Sequence, residues 1–211
     1  MKKSRLLFLA LLLSSASFAQ VEVAPFVGYM FGGGIDYYEG RFKIYDNMNY
    51  GASLIVPVRE IVDFELNYTR MDTHAKFTAY RAGWSDVTIS NLAVNYIQVG
   101  ALKALSMNND MVRPFGNFSM GVGWSSASEP GLDIKDVVRF SITAGLGVKI
   151  FFTERVGIIL RGRLLMPLNF SGVGFYYGIG GGGSGGGLSL NTYAPMIQGD
   201  FNGGLIFRLG N

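Results

Sequence analysis

The stretch RFSITAGLGVKIFFTERVGIILRGR, residues 139–163, decides how this chain folds. Its even positions carry Phe140, Ile142, Ala144, Leu146, Val148, Ile150 and Phe152, while Arg139, Ser141, Thr143, Gly145, Gly147 and Lys149 fall on the odd ones. An apolar residue at every second position has the period of a β-strand, because successive side chains point to opposite faces. Thr153, Glu154 and Arg155 break the run, after which Val156, Ile158, Leu160 and Leu164 are apolar again and Arg161 and Arg163 share the other face. The two runs read as a hairpin. The pattern alone leaves open which face is wet, so the rest of the chain has to decide.

The beginning of the chain supplies context. Lys2, Lys3 and Arg5 precede the apolar run Leu6 to Leu13, and SSASFAQ then offers Ser17 and Ala19 as the small residues before a cut. This is the pattern of a secretory signal peptide over residues 1–19, leaving a mature domain of residues 20–211. Its apolar core is too short to cross a bilayer as a helix. Taking the leader's three cations from 18 Lys and Arg leaves 15, against 15 Asp and Glu. The mature chain is formally neutral, which gives no support to nucleic acid as a partner. With no Cys in the chain, disulfide frameworks and thiolate chemistry are excluded.

Eight alternating segments follow. VEVAPFVGYMF sets Val21, Val23, Val27 and Tyr29 against Glu22, Ala24 and Phe26; VDFELNYTR sets Val62, Phe64, Leu66 and Tyr68 against Asp63, Glu65, Asn67 and Thr69. The segment near 88–102 is softer, with Leu92, Val94 and Tyr96 read as the apolar face. Connections alternate between long ones near 34–48, 71–87, 125–137 and 167–194 and short ones near 58–61, 104–112 and 153–155. Long and short links, an even strand count and segments of about ten residues are the signature of a transmembrane barrel. The expected fold is all-β: an eight-stranded antiparallel up-and-down transmembrane β-barrel with four long extracellular loops and three short periplasmic turns.

In lipid the apolar face meets acyl chains, so the charged face lines the lumen, which in an eight-stranded barrel is just wide enough for side chains to fill. Parity puts Asp63, Glu65, Arg139, Lys149, Arg161, Arg163, Asp200 and Arg208 there, together with Glu22. Buried charges persist when paired. An ion-pair network is therefore expected, with its particular pairs open. Tyr29, Tyr50, Tyr68, Tyr96 and Trp124 are placed in an aromatic belt toward the long loops.

The signal junction at Ala19 and Gln20, the penultimate hairpin FSITAGLGVKIFFTERVGIILRGRLL and the closing GGLIFRLG together resemble the small outer-membrane β-barrels grouped with the OmpA barrel, OmpX and the opacity proteins. The resemblance spans nearly all of the mature chain. It implies outer-membrane lipid and lipopolysaccharide as surroundings, contact with the barrel-assembly machinery through the last strand, where Phe207 stands for the usual terminal aromatic, and a monomeric state. The peptidoglycan-binding domain of full-length OmpA proteins is not expected.

No motif argues for catalysis, a metal or a cofactor. His74, the one imidazole, lies in a long connection without a partner at a useful spacing. Gly178, Gly180 and Gly183 match a nucleotide-loop spacing only because they sit in a glycine run, read as a flexible outward loop. Asp36 with Glu39, and Asp133 with Asp136, lack calcium-loop spacing. The expected function is non-enzymatic, with a plugged lumen, acting in envelope integrity or in surface contact and adhesion through the loops. A narrow OmpW-like channel for small or hydrophobic solutes is the alternative, followed by a lipid-modifying enzyme.

Overall fold

A computed structural model describes residues 21–36, 38, 40–59, 62–80, 86–105, 111–128, 136–180, 183–193 and 196–210, with side chains for all of these except 35–36, 59, 87, 89–90 and 169–193. The leader, Glu39 and Asp133 lie outside the described residues. Eleven strands run in chain order: β1 (Val21–Met30), β2 (Gly33–Asp36), β3 (Gly40–Ile44), β4 (Asn47–Arg59), β5 (Val62–Ala79), β6 (Val87–Ala104), β7 (Val112–Ser128), β8 (Val137–Phe151), β9 (Val156–Gly180), β10 (Gly183–Tyr193) and β11 (Gln198–Leu209).

Eight of them close a cylinder. Each of β1, β4, β5, β6, β7, β8 and β9 pairs antiparallel with the next, β9 continues to β11, and β11 returns to β1 through Glu22 opposite Arg208 and Phe26 opposite Gly204. Closure leaves the barrel wall without a free edge. The hairpin of residues 139–163 forms β8 and β9, in register from Phe140 opposite Leu168 to Phe151 opposite Gly157.

The long connections differ from their sequence reading. Most of the length of three of them, 34–48, 71–87 and 167–194, is strand: β3 extends the wall by pairing with β5, β2 pairs in turn with β3, and the glycine run belongs to β9 and β10, where Gly178 faces Gly185 in a two-stranded ribbon. Glycine's low strand preference hid this, since a run without side chains shows no alternation.

Side-chain parity fixes the two faces. Leu66 is 44% exposed, Val99 57% and Phe201 66%, whereas their chain neighbours Glu65, Gln98 and Asp200 are buried. Apolar side chains thus cover the outside of the barrel, and the buried charged and polar ones point inside, where they share the lumen with buried apolar side chains. One strand departs from its reading. On β6, Leu92, Val94 and Tyr96 point inward and are buried, and Ile97 and Val99 point outward. Tyr96 therefore does not belong to the belt.

Candidate functional site

The lumen is filled by four layers of side chains. At the end where β1 begins and β11 ends, Lys149 on β8 reaches Glu22 on β1 at 2.7 Å and Asp63 on β5 at 2.8 Å, and the Nε of Arg208 donates to Glu22 at 3.0 Å. Two cations and two carboxylates make this cluster neutral. Arg208 also lies 3.6 Å over the Phe151 ring, an arrangement in which the ring face attracts the cation.

Above it lies an apolar layer of Ala24, Ile55, Leu102, Phe115, Phe151, Ile159 and Ile206. The parity reading of the sequence did not anticipate it, because inward positions were identified by their charge. Phe115 and Phe151 were its legible signal, as aromatic residues on otherwise polar faces.

The third layer is again ionic. Arg161 donates from Nη1 to Glu65 at 2.5 Å, from Nη2 to Ser53 at 2.9 Å and from Nε to Asn202 at 2.7 Å. Arg163 holds Asp200 through Nε at 2.9 Å and Nη2 at 2.5 Å, a two-pronged pairing, and donates from Nη1 to Asn67 at 2.9 Å. Asp200 further accepts from Asn49 at 2.9 Å and from Asn202 at 3.1 Å. Side chains of the Arg161–Glu65 pair are 0% and 2% exposed. Such pairs survive burial only when their remaining donors and acceptors are satisfied, as they are here. Phe26, which parity set on the face of Glu22 and Ala24, lies 4.7 Å from Arg161 and 5.3 Å from Arg163.

Local sequence makes room for these cations. Gly145 and Gly147 face the lumen on β8 beside β9; a Cβ at Gly145 would stand 2.9 Å from the Arg163 stem, and one at Gly147 2.9 Å from Arg161 and 2.5 Å from the Phe115 ring. The alternation of glycine with apolar residues in TAGLGV is thus the imprint of the RGR on the next strand.

A fourth, apolar layer closes the outer end: Met30, Ile44, Met71, Ala75, Leu92, Val94, Tyr96, Leu165 and Met196. The Tyr96 hydroxyl bonds to Gln198 across the barrel. Both this contact and Arg161–Glu65 join strands four apart around the cylinder. Of the eight charges expected inside, Asp63, Lys149 and Arg208 meet in the first layer and Glu65, Arg161, Arg163 and Asp200 in the third; Arg139, half-buried near the outer end, joins neither cluster.

Outside the barrel, the wall formed by β5, β6 and β7 changes character in successive cross-strand rows. Tyr68, Ile97 and Val122 form an apolar row, Arg70, Asn95 and Trp124 the next, and Asp72, Ala93 and Ser126 the one beyond. Tyr68 bonds to Asn95 at 2.9 Å and Tyr50 to Asp72 at 2.8 Å. Such an aromatic-to-polar step marks an interface between hydrocarbon and water. Further out, His74 stacks on Tyr45 at 4.2 Å and Lys76 pairs with Asp86 at 2.9 Å. The hydrogen bond between these two raises the Lys76 pKa and, from the same pairing, lowers that of Asp86. No cluster of three metal-ligating side chains occurs among the described residues.

A closed eight-stranded barrel, apolar outside and ionic within, has the architecture of a small transmembrane β-barrel. No protein-family model and no curated protein matches the sequence. Among solved structures, Neisserial surface protein A is similar over 90% of this chain and 97% of its own, with 14% identity and a TM-score of 0.56. The N-terminal β-barrel domain of OprF of Pseudomonas aeruginosa matches at 14% identity over 89% of this chain and 98% of that one, with a TM-score of 0.42. Ail, the attachment invasion locus protein of Yersinia pestis, matches at 14% over 90% and 99%, also with a TM-score of 0.42. The likeness to the Neisserial protein is one of fold: the small outer-membrane barrel that the sequence resembles.

Proposed function

We propose that this chain is a non-enzymatic outer-membrane β-barrel, exported through a cleaved leader, whose filled lumen blocks bulk flow. It acts in envelope integrity or in contacts made by its outward ribbons. The observation that carries this reading is the lumen itself: two neutral ionic clusters alternate with two apolar layers along the whole described length. A narrow OmpW-like passage would need a route past Arg161 and Arg163, whose side chains reach across the barrel axis. Its surroundings would be outer-membrane lipid and lipopolysaccharide, with Phe207 on β11 the contact for assembly machinery, and the barrel would act as a monomer. A lipid-modifying role would rest on His74, which is stacked on Tyr45; unchanged activity toward lipids in a His74→Ala protein would remove it.

Planar-bilayer recording on the purified protein tests the plug. No large conductance steps are expected, and reproducible ones from a protein free of contaminating porins would contradict it.

A further inference from the structure

Asn202 and Gly203 make the one Asn-Gly pair in the chain. An asparagine followed by glycine is open to a reaction of its own side chain. The backbone nitrogen of the glycine attacks the carboxamide carbon of the asparagine, ammonia leaves, and water opens the resulting cyclic imide to aspartate or isoaspartate. A side chain on the following residue hinders the attack, and glycine has none.

The barrel places this pair where the reaction is blocked. Asn202 is buried in the third layer; its Oδ1 accepts from the Nε of Arg161 at 2.7 Å and its Nδ2 donates to Asp200 at 3.1 Å. An amide serves both contacts, because one end accepts and the other donates. On β11 the pair is held from both sides, with Asn202 opposite Gly28 and Arg161 and Gly203 opposite Val27 and Leu160. Ring closure requires the amide to leave both partners and swing onto the next nitrogen, and the extended backbone to turn with it. A paired β11 and a filled layer prevent both.

The product does not fit the same place. Aspartate would set a carboxylate oxygen where the amide now donates to Asp200, and would give a net negative charge to a layer in which Arg161 and Arg163 balance Glu65 and Asp200. A buried charge without a partner is strongly destabilising. Isoaspartate would also add a carbon to the backbone of β11, just before the pairs Gly204–Phe26 and Phe207–Val23 that close the cylinder, and so spoil the alternation on which their faces depend. We propose that Asn202–Gly203 is a deamidation site, open in the unassembled chain and silenced by closure of the barrel, so that chains left waiting unfolded lose the ability to close.

The test holds the full mature chain in guanidinium chloride at mildly alkaline pH for increasing times, dilutes it into detergent micelles, and separates folded from unfolded bands on unheated gels. Peptide mass spectrometry of each band reads deamidation at Asn202, with barrel folded beforehand kept alongside in the same buffer without denaturant. Deamidation is expected to rise with time in the unfolded chain, to concentrate in the band that fails to fold, and to be absent from the barrel folded beforehand. Gly203→Ala, whose added Cβ would meet the far end of the Leu160 side chain at 2.8 Å, should slow both the modification and the loss of refolding. Equal modification of the folded barrel and the unfolded chain, or equal deamidation in the two bands, would overturn the site. The comparison of bands needs no variant, so it decides the matter even where Gly203→Ala assembles poorly.

Discussion

Arg161 shows what one residue does in this barrel and what its sequence could reveal. Its parity placed it on the charged face of β9, but not its partner: Glu65 lies 96 residues away on the strand diametrically opposite. No local pattern encodes that distance, because it follows from how eight strands close. Removing one member of a buried pair strands the other charge. Arg161→Met is therefore expected to lower unfolding stability in detergent by about 3–5 kcal/mol, and a second change, Glu65→Leu, to recover most of it. Urea titration followed by the mobility shift of the folded barrel on unheated gels measures both. Outside, Leu66 faces lipid, and Leu66→Arg should cost about 2–4 kcal/mol if it lies near the midplane; a neutral result in the same assay would place it in water.

At the scale of the element, β6 explains why one face was misread. Both parities of this strand are apolar, with Leu92, Val94 and Tyr96 on one and Ile97, Val99 and Ala101 on the other. The first three lie in its outer part, where the wall outside is Asn91, Ala93 and Asn95. There the strand has left the hydrocarbon, and the rule inverts to that of a soluble barrel, apolar within and polar without. A single parity rule applied to the whole strand cannot see this inversion, whereas β5 and β8, with only polar residues or glycine opposite an apolar face through the hydrocarbon span, were legible. The inversion has a measurable consequence. Val94→Asp, which buries an unpaired charge in the outer apolar layer, should destabilise by about 3–5 kcal/mol, and Asn91→Asp on the same strand's wet side should stay within about 0.5 kcal/mol. Gly147→Val should prevent assembly of the barrel, read as loss of the folded gel band, because its side chain would occupy the space of Arg161 and Phe115.

For the whole molecule, the alternation of the opening stretch and the rhythm of its links carried the fold, and charge on the inward parity carried the ionic layers. The apolar layers and the pairs were hidden, since both depend on which strands face each other across the lumen. What unites the scales is one orientation, with Leu, Val and Phe turned to hydrocarbon and charge enclosed. The chain has no Cys, so single cysteines can report on it directly. The most direct measurement labels Val99→Cys and Thr143→Cys separately with a small fluorophore in the protein reconstituted into vesicles, then compares quenching by nitroxides on the acyl chains with quenching by iodide in water. An outward Val99 gives strong quenching from the lipid and little from iodide, and a lumenal Thr143 resists labelling until the barrel is unfolded. Iodide quenching at Val99 with none from the lipid, in a chain that remains folded without detergent, would contradict the orientation and the barrel's place in a membrane with it.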